Sequence, residues 1–203
     1  MYFCSDMSIL VLEKFVPENA LPFLEKWFGS HLCHLKITRN RQSKLGDYRR
    51  LPNQSHQITI NGTLDPELFF FVMTHELAHL IAFHDKRNIL PHGTEWKSTF
   101  RDLLLESILV YSEELQPIIR VFSKNPKANF MSSPDLVKYF DKKRNIDQTY
   151  VEDLEIGSCF IYLQHHYQIE ERKKKRYLCK NLHTGRSYLF KSCARVEKCE
   201  QHD

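Results

Sequence analysis

The tightest constraint on this chain is the run from Leu68 to Phe83, which holds Leu68, Phe69, Phe70, Phe71, Val72, Met73, Leu77, Leu80, Ile81 and Phe83. Asp65 precedes it as a natural N-cap, and Pro66 suits the first helical position, where a missing N–H is harmless. Apolar residues all round the barrel predict a helix buried on most sides. Into that helix the sequence sets Thr74, His75, Glu76 and His79. A helix turns about 100° per residue, so the last three fall within an arc of about 100°. Buried polar groups without partners cost about 1–3 kcal/mol each. Two imidazoles four residues apart share one face and can hold one metal ion, which supplies the missing partner. Glu76 lies to the side, placed to reach a water at the ion without ligating it, as a general base would.

A catalytic zinc ion ordinarily has three protein ligands. The helix is expected to end near Asn88, after Lys86 and Arg87, and the chain turns back through Ile89-Leu90-Pro91-His92-Gly93. A second helix then starts at Thr94 as N-cap, with Trp96, Phe100, Leu103, Leu104, Ile108 and Tyr111 on its apolar face. His92 thus sits in the corner between two packed helices and is the favoured third ligand. Asp85 and Glu106 are competitors, although Ala82 stands where an HExxHxxGxxD pattern needs glycine. His84 is expected to be solvated or to support the site from outside.

His75-Glu76-Leu77-Ala78-His79 followed by His92-Gly93-Thr94-Glu95-Trp96-Lys97 resembles the SprT-like metallopeptidases, whose motif is HExxH and then HGxxW. Arg39-Asn40-Arg41-Gln42-Ser43-Lys44-Leu45-Gly46-Asp47-Tyr48-Arg49 is similar to that family's basic, LG-containing segment, and His56-Gln57-Ile58-Thr59-Ile60-Asn61 to its HxIxxN strand. The likeness runs from about position 10 to 110. It implies an α+β fold with a zincin-like core, a small mixed or antiparallel sheet and two packed helices. It also implies that His75, His79 and His92 bind one Zn2+ while Glu76 is the base. The family includes the Spartan proteases, which digest proteins crosslinked to DNA, so the likeness extends the expected partners from protein or peptide substrates to DNA. Many relatives end in a zinc ribbon built on C-x-x-C pairs, and this chain has no such pair.

Of the 203 residues, 42% are hydrophobic, enough for one ordinary domain and a small module. The expected division is a metallopeptidase domain over 1–150 and a β-rich module over 151–203. Within the first, a short helix is expected near 19–28, with strands near 35–38, 45–50 and 57–61. The last of these is the expected edge on which an extended substrate would lie. The stretch 123–145 reads as loop, short helix and connector. Beyond 152, strands at 159–163, 176–182 and 187–190 are separated by polar clusters, with a hairpin turn at His183-Thr184-Gly185-Arg186 between the last two, predicting a small antiparallel sheet.

No apolar stretch reaches the ~20 residues that span a bilayer, and the first fifteen residues lack the basic start of a signal peptide. Six cysteines without an export signal are expected as reduced thiols in a cytoplasmic protein. A second metal on Cys179, His183, Cys193 and Cys199 is the less favoured reading, because their spacing is unlike a ribbon. Net charge is only +4, yet Arg172-Lys173-Lys174-Lys175-Arg176 concentrates positive charge in an expected hairpin arm able to neutralise phosphates. Tyr111, Tyr48 and His56 are the candidates for stabilising an oxyanion. The alternative to a peptidase is a zinc-stabilised scaffold that binds nucleic acid or protein. An intact Glu76 argues against it, since a structural zinc takes four protein ligands and needs no base.

Overall fold

Ile58 and Ile60 alternate with Gln57 and Thr59, and this period of two makes the strand around which the first part of the chain is organised. In the computed structural model, which describes residues 11–199 apart from 30, 42–43, 54, 86–88, 130–131, 144–148 and 175, that strand is β3 (His56–Asn61). It lies between β1 (Cys33–Thr38), which runs parallel to it, and β2 (Gly46–Arg50), which runs antiparallel. The expectation that this strand offers a free edge is therefore corrected. Both sides of β3 are hydrogen-bonded to neighbours, and the outer edges belong to β1 and β2.

The apolar run forms α2 (Pro66–Asp85), which follows α1 (Leu21–Phe28). The Asp65 carboxylate accepts the Glu67 N–H at 3.0 Å, the N-cap bond expected of it. Leu68 to Met73, Leu77, Ala78 and Leu80 are all buried. α3 (Thr94–Glu106) packs on α2, and Gly93 rather than Thr94 is its N-cap. Ile108, expected on that helix, falls in the 3-10 turn Ile108–Val110, with Tyr111 just beyond. Phe71 meets Phe100 and Phe122 edge-on at 5.5 and 5.4 Å. Phe122 lies on α4 (Leu115–Ser123), a helix absent from the sequence reading, whose buried Leu115, Ile119 and Phe122 recur at helical spacing.

Two compact units make up the chain, Met1–Ala128 and Asn129–Asp203. The second begins with α5 (Pro134–Lys143), upstream of the point where the sequence texture turns to short β-type runs. Its sheet has the order β4-β9-β5-β6-β7-β8, formed by β4 (Thr149–Tyr150), β5 (Cys159–Tyr162), β6 (His165–Arg172), β7 (Arg176–Asn181), β8 (Ser187–Lys191) and β9 (Arg195–Lys198). Phe160, Tyr167, Ile169, Tyr177, Cys179, Phe190 and Val196 pack into its core with Val151. Buried Asp141 on α5 accepts the Tyr150 hydroxyl at 2.7 Å and the Arg195 Nε at 2.8 Å, tying the helix to β4 and β9.

Candidate metal centre

His75 and His79 leave α2 one turn apart, and His92 arrives from the loop before α3. The His92 backbone has φ of 59°, in the left-handed region that non-glycine residues seldom adopt. The Gly93 N–H then closes the turn on the Leu90 carbonyl at 2.9 Å. This tight corner folds the imidazole back onto α2. His92 Nε2 lies 3.0 Å from His79 Nε2 and 3.4 Å from His75 Nε2. Nitrogens held about 2.0–2.1 Å from one tetrahedral ion stand about 3.3–3.4 Å apart, so the spacing fits a shared metal. Among the described residues these three form the one group of at least three His, Cys, Asp or Glu with ligand atoms all within 4.8 Å of one another.

Electrostatics favour neutral rings. Burial, then His79 and His92, holds His75 well below its ordinary value. Burial, then His92, lowers His79 to about 3, and burial alone lowers His92. Three neutral imidazoles with converging Nε2 atoms suit the metals that take nitrogen ligands, zinc among them. Trp96, fully buried, packs its indole 4.7 Å from the rings of His75 and His92 and 5.3 Å from that of His79. Its Nε1 donates to the His75 carbonyl at 3.3 Å. One side chain therefore braces all three imidazoles.

Glu76 is only 6% exposed. Burial, with Asp47 adding to it, raises its carboxyl to about 8, against Lys44, Arg41 and the Tyr48 N–H that donates to it. β2 comes this close because position 46 has no side chain. A Cβ there would lie 2.6 Å from both Glu76 Oε1 and Val72 Cγ1. Two residues on, the Tyr48 ring lies nearly parallel to His79 at 5.6 Å, and its hydroxyl pairs with His56 Nδ1 at 2.8 Å. Burial, then Cys33, lifts the Tyr48 hydroxyl to about 12, so it keeps its proton.

The register of β2 decides which backbone groups are open. Leu45 O and Leu51 N bond to the β3 side, through Asn61 N and Ser55 O. By the antiparallel alternation, positions 45, 47, 49 and 51 face β3, while Gly46, Tyr48 and Arg50 turn their N–H and C=O outward. The loop leading into β2 is pinned by Asn61. Its Nδ2 donates to Arg41 O at 3.1 Å and Lys44 O at 3.2 Å, and its Oδ1 accepts from Arg41 Nε at 2.9 Å.

The other candidates lie elsewhere. Glu106 pairs with Lys26 and accepts the Trp27 Nε1 at 3.1 Å, so its carboxylate is engaged away from the imidazoles. The Asp85 side chain falls outside the described residues. Tyr111 is in the core, its ring 5.6 Å from Phe70 and its hydroxyl buried beside Thr74. Of the imagined second metal set, Cys179 sits inside the β-sheet core with its thiol 3.7 Å from Tyr177 O, while Cys193 packs with Val137 and Tyr150. Cys199 meets His166 instead. In the basic hairpin, Lys173 and Lys174 are exposed between β6 and β7, Lys173 pairs with Glu171, and Arg172 lies 5.8 Å from the Tyr177 ring. Lys175 falls outside the described residues. Trp96, Gly46, Asn61 and the Tyr48 amide were not singled out as site residues from sequence. The HGxxW spacing was the available signal for Trp96, since it sets the indole one helical turn after His92.

Residues 33–103, from β1 into α3, match the family model of the IrrE N-terminal-like domain of the M78 peptidases, a zinc metallopeptidase-like family. The matched span holds the three histidines, Glu76 and the whole three-stranded sheet. No curated protein and no solved structure matches the chain.

Proposed function

We propose that this chain is a zinc-dependent peptidase with a zincin-like core, in which His75, His79 and His92 hold the ion and Glu76 is the general base. The observation that carries the reading is the convergence of three neutral imidazoles beside a buried carboxyl whose basicity burial has raised. A divalent ion bound there would polarise a peptide carbonyl and make water more acidic. Glu76 takes a proton from the attacking water and passes it to the departing amine nitrogen. Its raised affinity for a proton suits the acceptance, and the positive charge of a bound ion, added to Lys44, Arg41 and the Tyr48 N–H, would favour the ionised form needed to begin. The outward N–H and C=O of Gly46 and Arg50, together with the Tyr48 C=O, suit an extended peptide recognised through its main chain. Tyr48 and His56 are the remaining candidates for meeting the developing oxyanion, since Tyr111 lies in the core.

The finer assignment, to SprT-like peptidases acting on DNA-associated or DNA-crosslinked proteins, is supported by motif likeness at 39–49, 56–61, 75–79 and 92–97. The Arg172–Arg176 hairpin would supply the phosphate contacts. The test is incubation of the zinc-loaded protein with a DNA-binding protein, with and without single-stranded DNA. Wild type is expected to cleave, more so with DNA, and Glu76→Gln to keep its zinc while losing roughly 10²–10⁴ in rate. Cleavage indifferent to DNA would leave a general peptidase. No cleavage in either case, with loss of fold on chelation, would favour the scaffold reading.

A further inference from the structure

A different cluster lies on the sheet of the second unit. β5 pairs antiparallel with β9 through Phe160↔Lys198 and Ile161↔Glu197. One more step of that register sets Cys159 opposite Cys199. Phe160 and Val196 point into the core, so Cys159, Ile161, Glu197 and Cys199 share the opposite face. Directly opposed antiparallel residues have Cα atoms about 4.5–5.5 Å apart. That separation lies inside the range of about 4.4–6.8 Å that a disulfide accepts. His166, opposite Ile161 on β6, faces the same way and brings its Nδ1 to 3.6 Å from the Cys199 sulfur. Among the described cysteines, Cys33, Cys179 and Cys193 are buried, whereas Cys159 and Cys199 are partly exposed. Burial, then neighbouring Cys159, raises the Cys199 thiol above its ordinary range, so ionising it calls for a nearby proton acceptor.

We propose that Cys159 and Cys199 are a modification site, a cross-strand dithiol that closes to a reversible disulfide between β5 and β9, with His166 accepting the proton of the attacking thiol. The oxidant is a low-molecular-weight disulfide, RSSR. Cys199 gives its proton to His166, its sulfur attacks RSSR, and one thiol RSH departs with a proton. The Cys159 sulfur then attacks the Cys199 sulfur of the mixed disulfide and a second RSH leaves. Two protein thiols are oxidised as the two sulfurs of RSSR are reduced. The closed bond would fasten the last strand of the sheet to its neighbour.

The test uses the full folded chain and oxidised glutathione, followed by alkylation, digestion and mass spectrometry. The expected product is a pair of peptides joined through Cys159 and Cys199, lacking two hydrogens and restored by a dithiol reductant. Cys199→Ser should instead hold a glutathione adduct on Cys159, and Cys159→Ser an adduct on Cys199. His166→Asn should slow closure roughly tenfold. A wild-type chain that retains glutathione on either cysteine without joining them, or that reacts at neither, overturns the pairing. The same cross-link forming equally well in urea overturns the claim that strand register directs it. A closure rate unchanged in His166→Asn overturns the role of that ring.

Discussion

Gly46 is the residue whose replacement should report most directly on the site. A methyl group there would meet the Glu76 carboxylate and Val72 at 2.6 Å, and α2 is too well packed to yield. Gly46→Ala is expected to cost about 1–3 kcal/mol and to reduce peptide hydrolysis by displacing Glu76, seen as a lower denaturation midpoint together with a lower kcat. A second prediction concerns acid. His79 has a folded value of about 3 against the ordinary 6.5, so below pH 6.5 the unfolded chain takes up a proton that the folded chain refuses. Its contribution to stability is present above pH 6.5 and is lost as pH falls towards 3, by at most about 1.4 kcal/mol per pH unit. His75 is shifted in the same direction. Melting curves of chelator-treated protein should therefore fall steeply over that range, and less steeply in His79→Gln. His75, Glu76 and His79 stood out in the sequence because a polar arc on an apolar helix requires an explanation, and His92 because it falls in the corner between two helices. Gly46 and Trp96 were not read as site residues, because what they do depends on which element comes to lie against them.

At the scale of elements, α2 was legible because cap, proline and apolar run agree on one helix. The central place of β3 was not. Gln57, Thr59 and Asn61 alternate with isoleucines as a solvent-facing set would, yet Thr59 and Asn61 are buried. Asn61 tolerates burial because the loop before β2 saturates its amide, and that loop is distant in sequence. Asn61→Ala should cost about 1–3 kcal/mol by leaving Arg41 O and Lys44 O without their donor. Chemical denaturation measures that cost, and a fall in hydrolysis should accompany it as the loop carrying Lys44 loosens. α4 and β6 escaped the sequence reading for a related reason. α4 is short, with Pro117 in its first turn, and β6 buries only Tyr167 and Ile169 among polar neighbours.

For the whole molecule, each of the two units has its own apolar core. A chain ending at Ala128 is expected to fold and to bind zinc through the same three histidines, as metal titration followed by circular dichroism would show. A loss confined to the second unit should leave that binding intact. Asp141→Asn provides one, because it removes the charge that Arg195 pairs with and one of the two oxygens that accept from Arg195 and Tyr150. It should destabilise the second unit by about 2–4 kcal/mol, somewhat less than a fully buried pair because the Arg195 side chain is 38% exposed. Two separate unfolding transitions, only one of them moved, would be the signature. None of the described helices is long and apolar enough to cross a membrane.

The Tyr48 N–H favours the ionised Glu76 carboxyl from the same strand whose other outward groups would receive a peptide. In the proposed reaction, the strand that would hold the peptide would also touch the group that takes the proton. A substitution that shifts this strand should therefore disturb peptide binding and proton transfer together, raising KM as it lowers kcat.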